Sequence, residues 1–443
     1  MKTKTRTRTV AEQIFLSGVD SVLPGKLIRS QVKLTDSILN ILEHQYQLLN
    51  FENVYIIAAG KAGALMAKEM ELILGDFITG GLVVVKYGHG SELQKLRLIE
   101  AGHPLPDQHG IEATKLILEI AHRAGEKDLV ICLISGGASA LMADFPQGAT
   151  LDDLVLTNDL LVKCGADIKE INTVRKHLSG VKGGQLAKAI YPATTVSLIL
   201  SDVIGDPVDV IASGPTVGDS SSFSDVLDVI KNYQLTGKMP SDVMQYILAG
   251  VLGQIPETPK PGDVVFSKVQ NMIVGNNKVA LEASMRKALE LGYSAYIVND
   301  MLEGDYTHVA RYVLETIDEY DKSSDIIKPV CLLFGGESTI KVKGKGLGGR
   351  NQHLALYCAT KLAGKQNITI LCAGTDGTDG PTNAAGAEVN CKTCEDALAN
   401  NIDPEKYLND SDSYHFFKRF GGHIITGSTG TNVMDMIIVI IHY

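Results

Sequence analysis

Leu129-Val130-Ile131-Cys132-Leu133-Ile134-Ser135-Gly136-Gly137-Ala138-Ser139-Ala140-Leu141-Met142 is the stretch from which the fold of this chain is read. The apolar run 129–134 predicts a buried strand, Ser135-Gly136-Gly137 a tight turn, and 138–142 the start of a helix. Strand, glycine turn and helix start together make an anion site. Glycine lets backbone N–H groups approach a ligand closely, and the positive end of a helix favours negative charge there. Gly and Ser also occur in such turns for geometry alone, so the ligand has to be argued from the rest of the chain.

Upstream, Val54-Tyr55-Ile56-Ile57-Ala58-Ala59 predicts another strand, followed by Gly60-Lys61-Ala62-Gly63 and a helix over 64–74. Strands over 82–86 and 97–101 and a helix over 110–122 fill the interval. This alternation predicts a doubly wound, mostly parallel sheet of Rossmann or flavodoxin type with helices on both faces. Sites in such sheets lie beyond the carboxyl ends of the strands, where Gly60-Lys61, His103 and Ser135 to Gly137 all fall. Residues 10–50 predict two packing helices, one bearing Ile14, Leu16, Val19 and Val22, the other Ile38, Leu39, Ile41 and Leu42 with Asp36 as its cap.

Downstream, 151–190 predicts short helices carrying Asn172, Arg175, Lys176, His177 and Lys182, a basic cluster whose plain interpretation is a solvated helix face. A strand over 196–200 then ends in Ser201-Asp202-Val203-Ile204-Gly205-Asp206-Pro207. Asp202 and Asp206 suit Mg²⁺, which takes oxygen ligands and keeps several waters, although loop aspartates also serve simply as turn formers. The prolines at 240, 256, 259 and 261 place a domain boundary near residue 240, dividing the chain into 1–240 and 241–443. A second α/β alternation follows, with strands over 272–274, 295–298, 330–334, 368–373 and 436–441 and helices over 278–291, 306–320 and 351–362.

The second half concentrates its chemistry in Gly335-Gly336-Glu337-Ser338-Thr339 and Gly344-Lys345-Gly346-Leu347-Gly348-Gly349-Arg350-Asn351-Gln352. Gly344, Gly346 and Gly349 formally spell the dinucleotide fingerprint G-x-G-x-x-G. The preceding 339–343 alternates like a half-exposed hairpin strand, and Ile370-Leu371 stands where an acidic ribose ligand belongs, so the match is rejected. What remains is a flexible glycine loop delivering Arg350, whose guanidinium fork suits phosphate or carboxylate. Gly374-Thr375-Asp376-Gly377-Thr378-Asp379-Gly380 adds two carboxylates at another strand end. A Walker A motif is absent.

With 443 residues the chain is long enough for two domains, and 45% hydrophobic and 21% charged residues describe a globular protein. The net charge of −10 argues against a nucleic-acid or membrane-surface binder, which would neutralise phosphate with clustered Lys and Arg. The basic opening 1–8 leads into 10–23, interrupted by Glu12, Gln13, Ser17 and Asp20, which is no signal-peptide core, and no run suffices to span a membrane. A cytoplasmic enzyme is the expected class. Of seven cysteines, Cys132, Cys331, Cys358 and Cys372 lie in apolar patterns and read as reduced core residues. Cys391 and Cys394 form a C-x-x-C without the second pair or the setting that zinc or redox use needs.

Taken together, Gly60-Lys61, Ser-Gly-Gly-Ala-Ser-Ala-Leu at 135–141, Ser-Asp-Val-Ile-Gly-Asp at 201–206, Ala-Ser-Gly-Pro-Thr at 212–216, Gly-Gly-Glu-Ser-Thr at 335–339, Gly-Gly-Arg-Asn-Gln at 348–352 and Ala-Gly-Thr-Asp-Gly-Thr-Asp-Gly-Pro at 373–381 closely resemble the class II glycerate kinases. The likeness covers nearly the whole chain in the right order. It implies a Rossmann-like N-terminal domain and a mixed-sheet α/β C-terminal domain of MOFRL type, with the active site in the cleft between them. It also implies ATP-dependent phosphorylation of D-glycerate at its 2-hydroxyl with Mg²⁺ or another divalent cation, small-molecule partners, no nucleic acid and no membrane, and it allows a homodimer. In that family a lysine of the first βα turn and the arginine of Gly-Gly-Arg-Asn act at the transferring phosphoryl group, and these match Lys61 and Arg350.

Phosphoryl transfer asks mainly for positioning and charge compensation. Ser135, Gly136, Gly137, Ala138 and Ser139 would cradle phosphate, Asp202 or Asp206 would help to hold the cation, and Glu337, Asn351, Asp376 and Asp379 are candidates to meet the acceptor or take its proton. Competing expectations are an NAD(P)H-dependent hydroxypyruvate reductase, disfavoured for want of a nicotinamide fingerprint, a kinase for another small hydroxy acid, and a non-catalytic sensor.

Overall fold

A computed structural model describes residues 9–362 and 364–442, so the basic opening at 1–8 lies outside the described residues. The chain divides into two compact units, one formed by 27–274 and the other by 1–26 together with 275–443. The boundary expected near 240 thus lies inside the first unit. The helix Ser241–Val251 and the strand Val269–Gly275 complete that unit, and the N-terminal helix Val10–Ser21 packs instead against the helix Asn277–Glu290 of the second.

The first unit holds a six-stranded sheet in the order Arg97–Ala101, Gly80–Lys86, Asn53–Ala59, Asp128–Ile134, Thr194–Leu200, Val269–Gly275. Numbered along the chain within this sheet, the order is 3-2-1-4-5-6, that of dinucleotide-binding folds, and the first five strands run parallel. All seven residues of Asp128–Ile134 are buried, as a strand covered by helices on both faces requires. Strand order reverses between Asn53–Ala59 and Asp128–Ile134, so the crevice beyond their carboxyl ends is where such a sheet accepts a ligand.

Residues 32–47 overturn one expectation. The second helix of this region is Pro24–Gln31, and the one expected to bear Ile38 to Leu42 does not form; Val32–Thr35, Ile38–Ile41 and His44–Gln47 make a three-stranded antiparallel sheet. Ile38, Leu39, Ile41 and Leu42 satisfy helical spacing, but Leu39 and Ile41 are fully buried while Ile38 and Leu42 are 41% and 43% exposed, the two-residue period of a strand. Asp36, expected as a cap, turns the chain with a φ of 54°.

The second unit holds a mixed six-stranded sheet in the order Ser294–Asp305, Val330–Thr339, Asp435–Ile441, Ile368–Gly374, Gly386–Asn390, His423–Ile424. Ser294–Asp305 runs parallel to Val330–Thr339, and the remaining pairs are antiparallel. Asp435–Ile441 is central and buried at every position. Cys132, Cys331, Cys358 and Cys372 are buried, and Cys391 and Cys394 pack against the core of this unit. The hairpin strand expected over 339–343 is absent, because Val330–Thr339 continues as one strand and then leaves the sheet.

Candidate functional site

The parallel register Ala59↔Ile134 sets the turns after these two strands side by side at the reversal point of the first sheet. They are stitched together. Ser135 donates its N–H to Ala59 O at 3.0 Å, Lys61 its N–H to Gly136 O at 2.9 Å, and Ala62 its N–H to Ser135 Oγ at 3.0 Å. The helix after the second turn, Ala138–Leu141, is a single turn, and the Ala138 N–H is folded back onto Ser135 O at 3.3 Å. The helix start expected at 138–142 is present but is only one turn long, so it brings little dipole to Ser135-Gly136-Gly137. Whatever anion affinity the turn has comes from close backbone approach and from Lys61.

Two side chains press on the glycines. A Cβ on Gly136 would collide with Asp202 Oδ2, so only glycine lets this carboxylate lie against the turn. A Cβ on Gly137, whose φ is 87°, would stand 2.9 Å from His103 Nε2 and 3.6 Å from Lys61 Cγ. His103, Lys61 and Asp202 therefore surround Gly136-Gly137. Burial, with the charges of Lys61, Lys86 and His89, pulls the His103 pKa down to about 4, so the imidazole is neutral at physiological pH, and its buried Nδ1 has no protein partner. Asp206 takes a left-handed conformation, φ 54°, and closes the following turn by donating its N–H to Val203 O at 3.1 Å.

Behind the turn runs a polar connection that the sequence did not reveal. Ser139 Oγ and Ser213 Oγ are 2.8 Å apart, and Ser213 donates to Asn172 Oδ1 at 2.9 Å. Ala212 and Ser213 are held at φ 54° and 60°, a conformation that non-glycine residues adopt at a cost of about 1–2 kcal/mol each. Two consecutive strained residues thus stand beside the turn, Ser213 in contact with Ser139.

The basic cluster is not a solvated face. Helix Ile168–His177, begun by the Asp167–Glu170 capping box, buries Asn172, Lys176 and His177. Lys176 Nζ is 3.3 Å from Asp219 Oδ1, His177 Nε2 is 3.0 Å from Glu257 Oε2, and buried Lys182 donates to Met142 O at 2.8 Å and lies 3.3 Å from Asp144 Oδ1. Charges in an apolar setting must be paired, and Lys176 and Lys182 are.

In the second unit Arg350 begins the helix Arg350–Lys361. It donates from Nε to Asp435 Oδ2 at 2.6 Å, from Nη2 to Asp435 Oδ1 at 3.1 Å, and from Nη1 to Glu337 Oε1. Burial opposes its charge, but Asp435, Glu337 and Asp379 outweigh that and raise its pKa. Asp435 is a partner of Arg350 that sequence reasoning missed; the available signal was a lone carboxylate heading an otherwise apolar strand.

Asp379 is anchored rather than open. It accepts from Asn351 N at 3.0 Å, Gln352 N at 2.8 Å and Gln352 Nε2 at 2.9 Å, which caps the helix carrying Arg350. Asn351, expected to meet substrate, is buried behind it with its own amide 3.4 Å from Asp379 Oδ1. Asp376 is half-buried, and its Oδ1 accepts from Thr378 N at 2.9 Å and Thr378 Oγ1 at 3.1 Å. The glycine loop before Arg350, expected to be flexible, is pinned: Gly346 donates its N–H to Asp410 O at 3.0 Å, Leu347 to Asp412 Oδ1 at 2.8 Å, and Leu347 O accepts from Tyr414 N at 2.9 Å.

Among the described residues no group of three or more His, Cys, Asp or Glu side chains is arranged to hold a metal ion. Mg²⁺, commonly bound through one or two carboxylates plus substrate phosphates, does not require such a group, and Asp202 against Gly136 is a donor of the right kind. No helix of the described residues is long and apolar enough to cross a membrane.

Residues 10–248 match the family described as "Domain of unknown function (DUF4147)", and residues 330–435 match the MOFRL family. A D-glycerate 2-kinase of Thermotoga maritima is 42% identical, and a glycerate 2-kinase of Pyrococcus horikoshii 40% identical, each over 98% of this chain and over 98% and 97% of their own lengths respectively. A crystal structure of a glycerate kinase from Thermotoga maritima superposes with a TM-score of 0.86 at 39% identity, over 98% of both chains. The chain belongs to the class II glycerate kinase family, built from a DUF4147 domain followed by a MOFRL domain.

Proposed function

We infer that the protein transfers the γ-phosphoryl group of ATP to the 2-hydroxyl of D-glycerate, releasing ADP and 2-phosphoglycerate. The observation that carries this is Lys61 set beside the Ser135 to Ser139 turn at the reversal point of a parallel sheet, in a chain whose glycerate 2-kinase relatives align over almost its whole length. A cation next to backbone that a ligand can approach closely is what a polyphosphate requires.

Asp202 supports a role for a divalent cation. A carboxylate lying on an anion-accepting turn would repel phosphate unless a cation stood between them, and Mg²⁺ held with the help of Asp202, and of Asp206 in the same loop, supplies that compensation. Lys61 and Arg350 are the groups assigned to the transferring phosphoryl. Three of the five N–H donors of Arg350 are taken by Asp435 and Glu337, which leaves one on each Nη for an oxygen of the moving group. The acceptor oxygen forms its bond to the γ-phosphorus as the bond to the bridging oxygen of ADP breaks, and a base must take the hydroxyl proton. Asp376 is the preferred base: Asp379 spends its oxygens on a helix end and Glu337 on Arg350, whereas both Thr378 bonds fall on Oδ1 of Asp376.

The activity belongs to the cytoplasm, where ATP is available. A coupled assay for ADP with D-glycerate, followed by identification of the product, tests the proposal. Glycerate-dependent ADP release yielding the 2-phosphate is expected. Glycerate-dependent change in NAD(P)H absorbance without ADP would overturn it in favour of a reductase, and the 3-phosphate as product would refute the regiochemistry.

A further inference from the structure

One cavity of the first unit adjoins the site and shares only Ser139 with it. It opens where the phosphate turn ends, since Ser139 and Ala140 line it, and its walls include Leu105, Leu154, Val155, Val174 and Leu178. Besides Ser139 and the Lys182–Asp144 pair, three polar residues interrupt this aliphatic lining: Thr157, Asn158 and Arg175. Thr157 is only 2% exposed, yet its Oγ1 has no hydrogen-bond partner, and a buried hydroxyl left unsatisfied calls for an explanation. Asn158 Oδ1 accepts from Arg175 Nε at 2.7 Å, which fixes the guanidinium at the cavity wall. Among the described residues no carboxylate lies within ion-pair distance of Arg175, although the neighbouring Lys182 is paired with Asp144. Burial without a counter-charge lowers the Arg175 pKa. A protein of net charge −10 thus keeps in this cavity a guanidinium with no ion-pair partner among the described residues, the other two charges of the lining, Lys182 and Asp144, being paired with each other.

We propose that this cavity receives the nucleoside of ATP, with Arg175 as counter-charge to the nucleotide's phosphates where they pass Ser139 toward the Ser135-Gly136-Gly137 turn. The proposal rests on the phosphotransferase reading and names which part of the molecule grips the donor. An apolar slot beside a cation matches a ligand with an apolar ring at one end and negative charge at the other. Glycerate has no comparable apolar surface, so five aliphatic walls would gain nothing from it. Helix Ile168–His177, which supplies Val174 and Arg175, is also tied to the turn through Asn172, Ser213 and Ser139, so cavity and turn are held in one register.

The test uses the full chain in three forms: wild type, Ala140→Leu, which fills the mouth from a half-exposed position, and Arg175→Gln, with Arg175→Lys as conservative control. Binding of N-methylanthraniloyl-ATP is followed by fluorescence without acceptor, competition by adenosine is measured, and ADP release is timed with D-glycerate. We expect Ala140→Leu and Arg175→Gln to raise both the Kd for the fluorescent nucleotide and the KM for ATP by about tenfold or more, with melting temperature and the KM for glycerate little changed and with partial recovery in Arg175→Lys. Adenosine should displace the probe from wild type and lose that ability in Ala140→Leu. A raised KM for glycerate with unaltered ATP binding would overturn the proposal and assign the cavity to the acceptor; unaltered constants for both would overturn it outright. Wild-type ADP release in the same assay keeps either failure distinct from failure of the kinase reading.

Discussion

Asp435 closes on Arg350 with both carboxylate oxygens, Oδ2 on Nε at 2.6 Å and Oδ1 on Nη2 at 3.1 Å. A fork held on two edges cannot rotate, so the plane of the guanidinium is set by the head of the central strand. That head is itself fixed: Asn277 Nδ2 donates to Val433 O at 2.7 Å and to Asp435 O at 2.9 Å. Arg350 is therefore a preorganised donor, which is the form in which a cation stabilises developing charge most effectively.

Asp435→Asn keeps the shape and removes the charge and one of the two acceptors. We expect kcat with ATP and D-glycerate to fall by about tenfold or more while KM changes little, because orientation in the transition state is what is lost. Arg350 keeps Glu337 and is partly exposed, so urea unfolding should show a loss of only about 1–2 kcal/mol. Unchanged kcat would rule out a positioning role for Asp435.

Lys61→Ala separates chemistry from structure. The backbone N–H of Lys61 makes the bond to Gly136 O, so truncating the side chain leaves the stitched turns intact. Turnover should drop on the order of 10²-fold or more with an unchanged melting temperature. Wild-type turnover would remove Lys61 from the site.

Gly136→Ala forces a Cβ into Asp202 Oδ2. The Mg²⁺ concentration giving half-maximal rate should rise, and kcat should fall about tenfold. If the effect runs through Asp202, adding Gly136→Ala to Asp202→Ala costs little more, and a double-mutant cycle measures this directly. Strict additivity would place the damage elsewhere.

Much of this was legible in the residues, and what was not has physical causes. The run 129–137 and the strand 54–59 declared a parallel sheet because continuous apolar strands flanked by glycine turns have few other uses. The segment 32–47 misled because four apolar residues in a short span satisfy helical and strand periods alike, and only burial decides between them. Lys176, His177 and Lys182 read as a solvated face because their partners, Asp219, Glu257 and Asp144, lie 38 to 80 residues away. Asp435 was hidden for the same reason: its meaning comes from Arg350, 85 residues earlier. Lys61 and Arg350 stood out because a cation next to glycines is conspicuous locally.

His103 should be silent in the pH profile. With its pKa down at about 4, the imidazole stays neutral across the range where an ordinary histidine titrates near 6.5. Because the folded-state value is depressed, its contribution to stability is present above 6.5 and is lost progressively as pH falls from there through about 4. The profile of kcat/KM should therefore show no limb at 6.5 that His103→Asn abolishes; such a limb would mean that the imidazole carries charge during turnover.

Asp379 is the group whose titration does reach a measurable range. Burial raises its pKa from 3.8 to about 6, outweighing the bonds from Gln352 and Asn351, with the charge of Asp435 pushing the same way. The folded state thus holds this proton more tightly than the unfolded chain. The stability linked to it is fully present below 3.8 and is lost as pH rises through about 6. A shift of roughly two units corresponds to at most about 3 kcal/mol. Asp379→Asn cannot titrate, so the unfolding free energy of wild type minus that of the variant should fall by up to about that amount between about pH 4 and pH 7 in urea titrations. A difference independent of pH would show that the bonds from Asn351 and Gln352 fully compensate the buried charge, and that the helix bearing Arg350 is capped without strain.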